Sequence, residues 1–81
     1  MRTAEKTLQG MQRNRKGWTI HDVLVVAEKW GIEARTRGGS HVVLSHNNVP
    51  FQVTIPAHRP IKQVYIKEFL SLIEAIKEQA K

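Results

Sequence analysis

Eighty-one residues, 41% of them hydrophobic and 25% charged, make a single small domain with a core rather than a disordered chain. Cysteine is absent, which excludes a disulfide framework and thiolate metal sites, and apolar runs such as Val23 to Ala27 are too short to cross a bilayer. Thirteen Lys and Arg against seven Asp and Glu give a net charge of +6, which favours polyanionic partners.

Residues Met1 to Gly10 lack the basic-then-apolar order of a signal peptide, so the cytoplasm is the expected compartment. Ala4 to Gln12 carry a weak helical pattern, with Ala4, Leu8 and Met11 on one side and Gly10 interrupting it. Arg13, Arg15 and Lys16 crowd a polar turn ending at Gly17. The stretch 1–17 therefore reads as a helical, basic extension, and 19–79 as the core of one domain spanning 1–81.

Thr19 to Trp30 form a strong helix, since Ile20, Val23, Leu24, Ala27 and Trp30 recur at helical spacing. Thr19 and Asp22 fit a capping box, and Gly31 can end the helix in a left-handed conformation. From Ile32 the period becomes two. Ile32 to Arg37, His41 to His46 and Phe51 to Ile55 predict an antiparallel meander, interrupted by turns at Gly38-Gly39-Ser40 and Asn47 to Pro50.

The side-chain faces fix the register. A three-residue first loop sets Arg37 opposite His41 and Arg35 opposite Val43, and gathers Ala34, Val42, Leu44, Val53 and Ile55 on one face. A two-residue loop would scramble that face. On the far side stand Arg35, Arg37, His41, Val43, Ser45, Gln52 and Thr54. Pro56 is expected to end the third strand and open a connection through Pro60. Lys62 to Gln79 then read as a helix with Ile66, Phe69, Leu70, Ile73 and Ile76 as its core stripe, widened by Tyr65 and Leu72. From Gln63 onward Lys67, Lys77 and Lys81 cancel Glu68, Glu74 and Glu78, so the positive surplus lies before that point. The whole reads as an α+β domain with helices packed on one face of a three-stranded sheet.

Four histidines are the candidates for proton transfer near neutral pH. His21 faces away from the core side of its helix, and His46 suits a structural hydrogen bond at a strand end. His58 sits in a loop beside Arg59. His41 follows two glycines and a serine, so backbone amides near it can approach an anion closely. A metal centre finds no support: His41 and His46 point to opposite faces, and Glu33 is the one acid near that sheet surface. A serine–histidine–acid arrangement fails for want of an orienting carboxylate beside Ser40.

The string Gly39-Ser40-His41-Val42-Val43-Leu44, followed by Pro50, by Val53-Thr54-Ile55-Pro56-Ala57-His58 and by Ile61-Lys62, resembles the HicA family of bacterial toxin–antitoxin pairs. The resemblance covers Ile20 to Ile73. It departs at Val64-Tyr65, where the family often has Gly-Thr. It implies a double-stranded-RNA-binding-like fold, messenger-RNA interferase activity with His41 as the single catalytic histidine, no cofactor, and a cognate HicB-like antitoxin as partner. Arg35, Arg37, Ser40 and Lys62, with Arg59 in the connection, are then the expected RNA-binding residues. A small-molecule ligand and a membrane are not expected partners. Two other readings fit the same residues: a non-catalytic module that holds duplex RNA by shape, and an interaction protein whose last helix docks on a partner.

Overall fold

The computed structural model describes residues 3–58 and 60–79. Three helices and three strands follow in the order α1 (Ala4–Arg13), α2 (Ile20–Lys29), β1 (Glu33–Arg37), β2 (His41–Ser45), β3 (Val53–Pro56) and α3 (Gln63–Gln79). Both short helices begin on a threonine. Thr3 accepts from the Lys6 amide at 3.2 Å and so caps α1. Thr19 and Asp22 form the expected capping box: the Asp22 amide donates to the Thr19 hydroxyl, and the Thr19 amide to the Asp22 carboxylate. Gly31 leaves α2 at a φ of 69°, a conformation that a side chain would oppose.

The sheet is antiparallel with β2 in the centre. Arg37 pairs with His41 and Arg35 with Val43 across the first hairpin, as the three-residue loop requires, and Gly38 and Gly39 both take positive φ there. Across the second hairpin Val42 pairs with Ile55 and Leu44 with Val53. These four side chains join one core with residues from all three helices, among them Met11, Val23, Val26, Phe69 and Ile73, each fully buried. Each such burial stabilises the fold by about 1.5–3 kcal/mol relative to leaving the side chain exposed. None of these helices is long and apolar enough to cross a membrane.

Several expectations need correction. The amino-terminal helix is no appendage: Leu8 and Met11 belong to the core, and Trp18 joins α1 to the rest. Gly10 does not interrupt α1, because it lies where a Cβ would stand 2.8 Å from the Trp18 ring, so the missing side chain admits the indole. The buried stripes are also rotated. Val26 is buried where Leu24 was expected, and Leu72 where Leu70 was, the leucines being only partly covered. Ala34 faces the core side of the sheet yet is exposed, because β1 is an edge strand and a methyl group does not reach the helices. The third strand starts at Val53, leaving Phe51 outside it and 42% exposed. It also includes Pro56, which an edge strand tolerates because no ladder donor is needed there.

Candidate nucleic-acid interface

Strand alternation decides what the open sheet face carries. His41 starts β2 with its side chain exposed, directly across from Arg37 on β1 and Pro56 on β3. Directly opposite residues in an antiparallel pair sit about 4.5–5.5 Å apart at Cα, so the imidazole and the Arg37 guanidinium serve one patch of surface. The Ser40 hydroxyl lies 3.5 Å from His41 Nδ1, a loose contact that leaves the ring free to turn. Below them Val43 is 9% exposed although it faces away from the core. It lies in a shallow depression shared with Arg35, Arg37 and Gln52, whose aliphatic portions can cover an apolar residue while their polar ends stay wet.

The two arginines are not equivalent. Arg35 Nε donates to the Glu33 carboxylate two residues away on the same face. Among the described residues Arg37 has no carboxylate partner. A phosphate meeting Arg35 must therefore compete with a carboxylate, whereas Arg37 offers its full charge. Alanine at Arg37 should weaken RNA binding more than alanine at Arg35, and should lower the magnitude of the salt slope by about 0.7–0.9, one phosphate contact. Binding isotherms at several salt concentrations check this; equal losses at the two positions would show that the Glu33 pair does not tax Arg35.

The other histidines separate by environment. His46 is structural, its Nδ1 accepting from the Asn48 amide at 3.1 Å within the turn between β2 and β3. His21 is exposed on α2. His58 is exposed in the connection after β3, where it lines the same depressions as Lys62. The Ala57 amide donates to the Ser40 carbonyl at 2.7 Å, which ties that connection to the Gly-Gly-Ser loop beside His41. Arg59, expected to contact RNA, lies outside the described residues. Among the described residues no group of three histidines or carboxylates is placed to hold a metal ion.

One juxtaposition escaped sequence reasoning. Lys16, which the sequence places in a basic turn with Arg13 and Arg15, lines a groove with Lys62 and His58. The signal that could have found it is weak, because it depends on Trp18 drawing the turn against the connection after β3.

Set against family models, curated proteins and solved structures, the chain matches none. The functional reading rests on the residues themselves.

Proposed function

We propose that this protein is a metal-independent endoribonuclease of the HicA toxin type, with a double-stranded-RNA-binding-like fold, that cleaves messenger RNA through His41 and is restrained by a small HicB-like antitoxin covering its basic surface. The observation that carries the reading is the register. It sets an exposed histidine opposite an arginine that has no carboxylate partner among the described residues, at the mouth of a Gly-Gly-Ser loop. The helix–three strands–helix order from α2 to α3 supports the fold assignment, with α1 as a further helix whose Leu8 and Met11 share the same core.

In this mechanism the His41 imidazole takes the proton of a ribose 2′-hydroxyl, and the 2′-oxygen attacks the adjacent phosphorus. Arg37 and Lys62 hold the phosphate and the charge that builds on it. The bond from phosphorus to the 5′-oxygen breaks, and that oxygen takes a proton from water or from His58. The products are a 2′,3′-cyclic phosphate and a free 5′-hydroxyl. A labelled RNA carrying one 2′-deoxy residue at the cleaved position should therefore be inert, and the intact RNA should yield cyclic-phosphate ends. Cutting of the deoxy substrate, or ends bearing a 3′-hydroxyl, would refute the 2′-oxygen as nucleophile. A module that merely holds duplex RNA would bind both substrates and cut neither.

A further inference from the structure

Two depressions that share four lining residues run from Pro56, the cross-strand partner of His41, toward the turn before α2. The first is lined by Pro56, His58, Pro60, Ile61, Lys62 and Tyr65. The second shares His58, Pro60, Ile61 and Lys62 and extends to Lys16 and Gly17. Together they form a groove that begins at Pro56, the residue paired with His41, and leads away along the amino end of α3. Among the described residues no acidic side chain lines either part, and the first turn of α3 contains none. The floor is apolar, from Ile61 and the half-buried Tyr65, whereas Lys16, Lys62 and His58 stand exposed on its rim.

Its walls are fixed. The Ile61 amide donates to the Trp18 carbonyl at 2.9 Å, the Trp18 indole donates to the Asn14 carbonyl at 2.6 Å, and the Lys16 amide donates to the Asn14 side chain at 3.0 Å. The Ala57–Ser40 bond pins the other end. Such a groove exists before any ligand arrives.

We infer that this groove receives an unpaired nucleotide next to the cleaved phosphate, base on the apolar floor and phosphate on Lys16 and Lys62, so that single-stranded RNA is the substrate. This rests on the reading of the His41 surface as the cleaving face. The chemistry of the groove excludes a duplex as its occupant. An A-form helix keeps its bases stacked inside and offers phosphates and 2′-hydroxyls, to which an apolar floor contributes nothing. An unstacked base flanked by phosphates matches both the floor and the rim. The amino end of α3 adds a favourable field for the anion.

The test measures binding without cleavage. A fluorescent 2′-O-methyl oligoribonucleotide of about ten nucleotides, which lacks the attacking hydroxyl, is titrated with the wild-type protein as a single strand and as a duplex, across a range of salt. The single strand should bind at least about tenfold more tightly than the duplex. The double variant Lys16→Gln, Lys62→Gln should lose about tenfold in single-strand affinity, and the magnitude of its salt slope should fall by about 1.4, two contacts at 0.7 each. Equal affinity for duplex and single strand would overturn the inference with no variant needed, and so would a double variant that binds the single strand as wild type does. Cleavage is scored separately on ordinary RNA. Single-strand preference without turnover would leave the groove standing and sink the nuclease; turnover without that preference would do the reverse.

Discussion

Replacing His41 by alanine should abolish measurable RNA cleavage, a fall of about 10²–10⁴-fold set by the loss of a positioned proton-transfer group. The side chain is exposed at the start of β2 and joins no part of the core, so its removal opens no cavity and should change stability by less than about 0.5 kcal/mol. RNA affinity should survive as well, since the phosphate contacts assigned to Arg37 and Lys62 remain. Cleavage by the wild type should persist in EDTA, because among the described residues no cluster of carboxylates or imidazoles is placed to hold a metal. Wild type and variant, purified alike and assayed on one labelled RNA with and without chelator, decide the matter. Undiminished activity in the variant would defeat the assignment of His41, whereas loss of wild-type activity in EDTA would overturn only its metal independence.

Trp18→Ala should have the largest effect on stability, about 3–5 kcal/mol. The indole is 8% exposed, packs on Gly10 of α1 and donates to the Asn14 carbonyl. A domain of this length is stable by only about 4–12 kcal/mol, so the variant should melt well over about 10 °C lower and populate unfolded chain near body temperature. Val64→Ala, at a position 55% exposed, should stay within about 0.5 kcal/mol of wild type. Thermal and urea unfolding of the three proteins test the ranking. A Trp18 variant as stable as the Val64 variant would mean that α1 is dispensable to the fold.

How much of this was legible in the sequence follows from the range of the interactions. The capping box from Thr19 to Asp22 spans four residues, and the Gly-Gly-Ser hairpin from Arg37 to His41 spans five, so local pattern sufficed for both. The register was legible for a further reason: a slip of one residue would have moved Val42 and Leu44 out of the core. Helix rotation was harder to read. Val23 to Ala27 is a continuous apolar run, and such a run does not say whether Leu24 or Val26 turns inward. The same ambiguity holds for Leu70 and Leu72 in α3. Trp18 was invisible because its partners, Gly10, Asn14 and Ile61, are chosen by tertiary packing and leave no periodic trace. For the site, residue types and alternation placed His41 and Arg37 together, but the Glu33–Arg35 pair and the joining of Lys16 to Lys62 depend on side-chain direction and on chain segments some forty residues apart.

The edge position of β1 bears on how copies of the protein meet one another. An open edge offers its backbone amides and carbonyls to any other strand, which is how sheets extend from molecule to molecule into aggregates. Here that edge displays Glu33, Arg35 and Arg37, and every residue along it is exposed. Two copies pairing edge to edge in antiparallel fashion about Thr36 would set Arg35 of each opposite Arg37 of the other, at a like-charge cost that a neutral strand would not carry. The arginines proposed to meet RNA on the sheet face thus also disfavour that pairing of edges, and removing both should relax a barrier to self-association along with the proposed grip on RNA.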